Sequence, residues 1–360
     1  MHISNLPRPP LQFPKKGGKI DKKCQTAVRR VFAKFVLGLA NLVWLPLNNR
    51  PTLVAETVEE FRTNIAPETE NRTQSSPVYH PPARETAFDR ARDWLGNRFV
   101  YAVISARAGG LSLGVNMNPG KVCNFDCSYC EVDRRTHGPD RHLLVDVMAA
   151  ELHRTLTAVR QGQLKTRPWY QLIPDELLQL RHVALSGDGE PTLAPNFVEA
   201  VQAVARVRAL GGFFKIVLLT NGTGLDKPDI LRGLEILTKS DEIWIKLDGG
   251  SQALVDKVNR PNVPLEKILS NILLIGRQRP VIIQSLFPAI HGEEPPEEEI
   301  QEYAQRLKEL KAGGAQISLV QIYSAARPGV HAEWGHLPLR VLSQIAQTVR
   351  HTAGLKAEVF

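Results

Sequence analysis

Cysteine is scarce in this chain, which contains only four among 360 residues. Small secreted proteins that depend on disulfides carry many more, so a disulfide-stabilised scaffold is excluded. Three of the four, Cys123, Cys127 and Cys130, share one short segment, and three cysteines cannot pair among themselves without leaving one over. The fourth, Cys24, lies about a hundred residues upstream. The scarcity therefore points to a metal centre on the three clustered thiols.

Excess positive charge is also missing from most of the chain. The net charge is +8, and residues 1–75 hold 12 Lys and Arg against 6 Asp and Glu, a balance of +6. The remaining residues hold 33 against 31, a balance of only +2. A basic surface throughout would favour nucleic acid or an anionic membrane as partner. The near-neutral body argues against nucleic-acid binding as the whole function.

No apolar run is clearly long enough to cross a membrane. The best candidate, residues 31–47, spans about 17 residues and is broken by Lys34 and Asn41, which puts it near the lower limit for a span. A long basic segment precedes it and no convincing cleavage site follows, unlike a secretory signal. An interfacial amphipathic helix and a loosely packed extension are the open interpretations. We expect a flexible basic extension over residues 1–75, no transmembrane span and a cytoplasmic protein.

Six apolar runs alternate with helical patterns over residues 76–360. Near-continuous apolar runs are typical of parallel strands buried on both faces, and a 3.6-residue period predicts helices. The predicted strands are residues 111–118, 183–186, 216–220, 243–248, 281–287 and 316–323. The predicted helices include residues 145–159, 197–210, 265–277, 297–311 and 339–352. Six β/α units in series predict an α/β fold, either a barrel or partial barrel or an open doubly wound sheet, with the core motifs in residues 110–330.

The segment after the second predicted strand is rich in glycine and acidic residues. It reads Gly187-Asp188-Gly189-Glu190-Pro191, and chemistry in β/α folds sits at the carboxyl ends of strands. Glycine lets a backbone approach a ligand closely, and Glu190 offers a carboxylate. A glycine turn that opens a helix is the alternative interpretation.

Polar side chains also follow the third predicted strand and lie within the last residues of the fourth and sixth. Asn221 begins an Asn-Gly turn, which favours left-handed backbone. Lys246 and Asp248 are two residues apart and share one face, as do Gln321 and Tyr323. A buried Lys and Asp need partners, either a ligand or each other in a salt bridge.

The chemistry of the three cysteines favours a soft metal centre. Thiolate sulfur binds zinc or iron–sulfur clusters, and a closed zinc site needs a fourth Cys or His. His137 follows Cys130 by seven residues, so zinc stays open as an alternative. An iron–sulfur cubane on three cysteines would leave one iron free to bind a ligand.

The pattern Cys-x3-Cys-x-aromatic-Cys over residues 123–130 resembles the signature of the radical S-adenosylmethionine (radical SAM) superfamily. The resemblance implies a partial (β/α)6 TIM-like barrel of the radical SAM type and a [4Fe–4S] cluster on Cys123, Cys127 and Cys130. It further implies that S-adenosylmethionine binds the open iron and that Tyr129 lies against the adenine.

The same resemblance assigns cofactor contacts to the strand ends. Residues 187–191 stand where the family has Gly-Gly-Glu-Pro, which receives the amino group of S-adenosylmethionine, although Asp188 replaces a usual glycine. Asp248 would lie near the ribose. The remaining implied contacts of the cofactor or substrate are Asn221, Lys246, Gln321 and Tyr323.

A narrower resemblance rests on residues 186–192, on 246–248 and on Asn259-Arg260-Pro261. These look like the wyosine-synthase-related Fe–S oxidoreductases. The second cluster of wyosine synthases has no cysteines to hold it here.

The resemblance implies reductive cleavage of S-adenosylmethionine to a 5′-deoxyadenosyl radical that abstracts hydrogen from a substrate. An RNA base is slightly favoured over a protein side chain as that substrate. The sequence shows no flavodoxin-like domain, so an external one-electron donor of the flavodoxin or ferredoxin type is expected. A non-catalytic zinc or iron–sulfur protein, and a nucleic-acid-binding module that uses the basic N-terminus, are the alternatives from other classes.

Overall fold

The structure, a computed structural model, describes residues 94–360 except 137, 139 and 326–333. The predicted extension over residues 1–75, its apolar stretch 31–47 and Cys24 lie outside these residues, as does His137. Those predictions stay predictions.

The sheet that organises the described residues is open and mostly parallel. Its strands run in the spatial order β1 (Val100–Ser105), β2 (Gly110–Asn116), β3 (Leu180–Ser186), β4 (Lys215–Thr220), β5 (Glu242–Lys246), β6 (Val281–Leu286), β8 (Ile317–Tyr323) and β10 (Ala357–Val359). β1 pairs antiparallel with β2, and all later neighbours pair in parallel. Two short strands, β7 (Ala289–Ile290) and β9 (Trp334–Gly335), form a separate antiparallel pair.

Helices connect the parallel strands. In the described part of the chain they are α1 (Val145–Arg160), α2 (Pro168–Gln171), α3 (Phe197–Gly211), α4 (Pro228–Glu235), α5 (Gln252–Val258), α6 (Leu265–Gln278), α7 (Glu297–Ala312) and α8 (Leu339–Ala353). Local signals explain several boundaries. Pro228 begins α4 with its φ already set, and Gly354 ends α8 in the left-handed conformation that glycine tolerates. Among the described residues, no helix is long and apolar enough to cross a membrane.

The predicted α/β fold is confirmed as a curled half-barrel. All six predicted strands and all five predicted helices are present, each within three residues of its expected bounds. β5 ends at Lys246, so Asp248 lies just beyond the strand and not within it. The sequence analysis missed the edge strands β1 and β10 and the helices α4 and α5.

Side chains on one face of the sheet form an apolar layer beneath a polar one. Val217, Trp244 and Ile282 pack together as a buried cluster. Two residues further along the strands, Lys246 is in register with Gln284, which is in register with Gln321. Residues two apart on a strand share a face, so this polar row lies above the apolar cluster toward the carboxyl ends. The fold thus places polar groups at the carboxyl ends of the strands, beside residues 122–130, which are called the cysteine segment below.

Gly250 tests how the loop after β5 packs against α7. A Cβ added at Gly250 would overlap backbone atoms of Glu302 and Tyr303, which cannot move without shifting the helix. We expect Gly250→Ala to lower the free energy of unfolding by about 1–3 kcal/mol, as overpacking does. Denaturant unfolding measures it. In the control, Gly211→Ala, the new Cβ would meet only the Arg160 side chain at 3.7 Å. Equal stability of the two variants would contradict this packing.

Candidate metal and cofactor site

The cysteine segment follows β2 and is fixed by backbone hydrogen bonds on two sides. The Glu190 amide donates to the Val122 carbonyl at 2.9 Å, which joins the segment to residues 187–191. The Ser128 amide donates to the Val258 carbonyl at 2.8 Å, which joins it to the end of α5. Backbone hydrogen bonds to the segment after β3 and to the end of α5 therefore set its position.

The three thiols are unbridged and half-buried. Burial raises the pKa of Cys123 to about 12 and that of Cys127 to about 11. Both thiols therefore hold their protons at neutral pH when no metal is bound, and metal binding displaces such protons.

Nitrogen donors surround the sulfur atoms. Asn259 Nδ2 lies 3.4 Å from the Sγ of Cys127, and the Phe125 amide lies 3.5 Å from the Sγ of Cys123. Burial lowers the pKa of Arg134, but the three cysteines, Cys130 first, raise it above its usual value. The Nε of Arg134 is buried without a hydrogen-bond partner in the described structure. Hydrogen bonds and positive charge around sulfur are features that stabilise and tune iron–sulfur clusters.

The donor set fits an iron–sulfur cluster. Within the described ranges, no three His, Cys, Asp or Glu side chains converge closely enough to share one metal ion. A cubane does not require that convergence, because each cysteine binds a different iron. Three thiols on one segment, with N–H groups beside them, suit such a cluster with one iron left without a protein ligand.

The carboxylate of Asp248 joins the cysteine segment to three other elements. Its side chain is fully buried and accepts hydrogen bonds from the Tyr129 hydroxyl, from Asn259 Nδ2 at 2.7 Å and from the Leu286 amide at 2.8 Å. The ammonium of Lys246 lies 3.3 Å away. The Lys–Asp salt bridge, one of the two alternatives left open by the sequence, is thus present as one contact among four.

These contacts fix the protonation states of the neighbours. Burial, followed by the charge of Asp248, raises the pKa of Tyr129 well above its usual value, so the phenol stays a donor. Burial lowers the pKa of Lys246, but Asp248, Tyr323 and Cys127 together raise it above its usual value, so the ammonium stays charged.

Glu190 makes a second buried hub. Its Oε1 accepts from Thr220 Oγ1 at 2.5 Å and from the amide and hydroxyl of Thr192 at 3.1 and 2.8 Å. Its Oε2 accepts from the Asn221 amide at 2.8 Å. Both oxygens therefore already bond to protein groups, which ties the end of β3 to the end of β4. The expectation that Glu190 offers a carboxylate to a ligand stays a prediction, since Oε2 accepts only from Asn221 among the contacts described.

The rest of the segment 187–191 is packed against β2 and the cysteine segment. Asp188 accepts from Asn116 Nδ2 at 2.9 Å and donates its amide to Asn116 Oδ1 at 3.1 Å, so an aspartate is accommodated where the motif usually has glycine. Gly189 must be glycine, because a Cβ there would overlap the Val122 carbonyl. Pro191 is buried at the start of a single 3-10 turn.

The remaining predicted site residues fall into two groups. Asn221 Nδ2 donates to Asn124 Oδ1 at 2.8 Å and so braces the cysteine segment. Gln321 is buried and accepts from Gln284 Nε2 at 2.9 Å, while Tyr323 is half-buried at the end of β8. The structure brings Tyr129, Lys246, Asp248 and Tyr323 together and places residues 187–191 and 221 on another side of the cysteine segment through Val122 and Asn124.

Sequence reasoning missed two residues of this site, Asn259 and Arg134, and one residue beside it, Arg107. Asn259 bonds Cys127, Tyr129 and Asp248, and the signal was its place in Asn259-Arg260-Pro261. Arg134 follows the last cysteine by four residues, and this closeness in sequence could have identified it as a neighbour of the thiols. Arg107, which stacks on Tyr323, gave no signal because β1 and its turn were not predicted.

Comparison with known sequences matches this chain to one superfamily domain and to several curated proteins. The radical SAM superfamily domain matches residues 117–307. A UPF0026 protein of Synechocystis sp. is 30% identical over 177 residues, 48% of this chain and 57% of that protein. A UPF0026 protein of Helicobacter pylori is 28% identical over 176 residues, 48% of this chain and 50% of that protein. The match thus spans about half the length of these curated relatives.

Solved structures were compared with this one by the course of their backbones. A structure of TYW1 with a lysine–pyruvate adduct bound has a TM-score of 0.47 and 16% identity, and covers 68% of this chain and 74% of that one. Streptococcus suis SuiB bound to its precursor peptide SuiA has a TM-score of 0.47 and 14% identity, with 68% and 48% covered. These likenesses concern the course of the chain and not its chemistry.

Glu190→Ala tests the internal role of that carboxylate. The change leaves the Thr220 hydroxyl, the Asn221 amide and the Thr192 donors without their buried acceptor, so we expect the free energy of unfolding to fall by at least about 2 kcal/mol. Chemical denaturation measures it. Glu235→Ala, an exposed glutamate at the end of α4, is the control and should change little. Indistinguishable stabilities would show that Glu190 does not hold the strand ends.

Proposed function

The chain belongs to the radical SAM superfamily, whose domain covers residues 117–307 of its 360, and on that premise we propose that it is an enzyme acting through a [4Fe–4S] cluster and S-adenosylmethionine. The observation that carries the proposal is the cysteine segment itself. Its three thiols lie on one loop at the strand ends, with N–H donors at two sulfur atoms and the Tyr129–Asp248 contact beside them.

The cluster and S-adenosylmethionine, when bound, would supply one-electron reductive cleavage of a sulfur–carbon bond and so a 5′-deoxyadenosyl radical that takes hydrogen from a substrate. The chain's own residues would hold, orient and shield the reactants. Cys123, Cys127 and Cys130 would each ligate one iron. Asn259, the Phe125 amide and Arg134 would offset the negative charge on the sulfur atoms.

The proposed cofactor pocket lies between two groups of residues. On one side, the main chain of residues 187–191 would meet the amino group of S-adenosylmethionine, since Glu190 and Asn116 hold that backbone in place. On the other side, Asp248 Oδ1 accepts only from Leu286 among the contacts described, and a carboxylate oxygen has room for a second donor such as a ribose hydroxyl. Tyr129 would offer its ring to the adenine.

The remaining polar residues would line the space beside this pocket and contact the cofactor or the substrate. Lys246 and Tyr323 lie beside Tyr129, and Gln321 lies in the same row of the sheet as Lys246, two residues before Tyr323. Asn221 would contribute by bracing Asn124 in the cysteine segment.

The electron donor and substrate would come from outside the chain. With four cysteines in the whole sequence, only the motif segment can hold a cluster, so we propose an external one-electron donor of the flavodoxin or ferredoxin type. An RNA base is proposed as substrate before a protein side chain, on the likeness of residues 186–192 and 259–261 to wyosine-synthase-related proteins. A non-catalytic metal protein would bind metal at the same thiols without cleaving the cofactor.

Cysteine substitutions test the proposed ligands. Changing Cys123, Cys127 or Cys130 to Ala should each abolish the iron and sulfide content of anaerobically reconstituted protein, because each thiolate holds one iron. Formation of 5′-deoxyadenosine and methionine after addition of dithionite should be lost in parallel.

Cys24→Ser is the matched control and should keep both properties, since it lies far outside the motif. A Cys24→Ser protein that cannot hold iron would contradict the three-cysteine assignment. Wild-type protein that binds zinc and never cleaves S-adenosylmethionine would favour the non-catalytic alternative.

A further inference from the structure

Arg107 lies in the turn between β1 and β2 and reaches the far part of the sheet. Its guanidinium stacks over the ring of Tyr323, with 4.1 Å between the guanidinium carbon and the ring centroid. Tyr323 ends β8, which is separated from β2 by four strands of the sheet. The contact therefore crosses the concave face of the half-barrel.

The guanidinium of Arg107 has no acceptor in the structure. Throughout the described ranges it donates no hydrogen bond and forms no ion pair, although the residue is half-buried. Arg208, by contrast, bonds Asp241 at 2.7 Å. Five N–H groups in a fixed fork are thus available on the concave face.

A second cation shares the same tyrosine. Lys246 Nζ lies 3.5 Å from the Tyr323 hydroxyl and 5.9 Å from its ring centroid. Among the residues that the structure describes, the only carboxylate paired with Lys246 is Asp248, which also accepts from Tyr129 and Asn259. The group of Arg107, Lys246 and Asp248 therefore carries two positive charges against one negative charge.

The charge of Arg107 also acts on His182, which lies in β3. Burial, followed by the charges of Lys215 and Arg107, lowers the pKa of His182 to about 3, so this histidine is neutral and adds no positive charge. His182 packs edge-on against Trp244, which belongs to the apolar layer. Lys246 follows Trp244 by two residues on the same strand face, so its charge lies next to this apolar layer.

We propose that Arg107 and Lys246 bind an anionic group of the substrate, a carboxylate or a phosphate, on the concave face. The inference rests on the proposed function and names the chemistry of the substrate that it left open. An arginine fork binds either anion in bidentate fashion, and a lysine adds a point charge. Lys246 Nζ also lies 5.0 Å from the ring centroid of Tyr129, so an anion held here is next to the cysteine segment.

Isothermal titration of the full-length, anaerobically reconstituted protein tests the proposal. Inorganic phosphate and malonate are titrated separately, so that the preferred anion distinguishes a phosphate-bearing from a carboxylate-bearing substrate. We expect Arg107→Gln to weaken binding of the preferred anion by at least about tenfold, because a charge-assisted hydrogen bond is lost. Arg107→Lys should weaken it less, since the charge remains and the fork is lost.

Arg206→Gln is the control, an exposed arginine on α3 that loses the same charge, and it should bind the anion as the wild type does. Melting temperatures establish that each variant is folded. The affinity of Arg107→Gln for S-adenosylmethionine, titrated separately, should equal that of the wild type.

Three results would overturn the proposal: no binding of either anion to the wild type, binding that Arg107→Gln leaves unchanged, or a loss of S-adenosylmethionine affinity in Arg107→Gln. The last would assign Arg107 to the cofactor. The anion titration does not depend on cofactor cleavage. A wild type that binds the anion through Arg107 but never cleaves S-adenosylmethionine would therefore contradict the proposed function and leave the anion site standing.

Discussion

The buried carboxylate of Asp248 is the constraint on which the mouth of the sheet depends. An ionised carboxylate taken out of water is costly unless its lone pairs are filled and a cation is near. Here the donors come from four places: Tyr129 in the cysteine segment, Lys246 at the end of β5, Leu286 at the end of β6 and Asn259 after α5. The hydrogen bond from Tyr129 thus ties the cysteine segment to the ends of β5 and β6 through Asp248.

Glu190 does the same on the other side of that segment. Its two oxygens take every donor that the ends of β3 and β4 present to it, and its own amide holds Val122. The acidic side chains of Asp248 and Glu190 thus hold several strand ends together through their hydrogen bonds. The arrangement makes function and stability inseparable at these positions, because a change at Glu190 or Asp248 disturbs several strand ends at once.

Much of the fold could be predicted from sequence, because buried parallel strands and amphipathic helices repeat over short distances. The apolar run of residues 216–220 and the 3.6-residue period of residues 145–159 were enough to predict the bounds of β4 and α1. β1 and β10 were missed because they are edge strands whose place depends on their partners. The partners of Asp248 lie up to 119 residues away, and no local pattern shows whether a carboxylate faces a ligand or protein donors. Arg107 meets Tyr323 only because the sheet curls.

Electron paramagnetic resonance of the reduced protein, recorded with and without S-adenosylmethionine, tests the central claim most directly. The claim is that the three cysteines leave one iron open and that the cofactor binds it. The account predicts the signal of a reduced [4Fe–4S] cluster whose g values shift when S-adenosylmethionine is added, with hyperfine coupling to a nitrogen-15 label on its amino group. A reduced cluster whose spectrum is unchanged by S-adenosylmethionine, or the absence of any cluster signal, would contradict it.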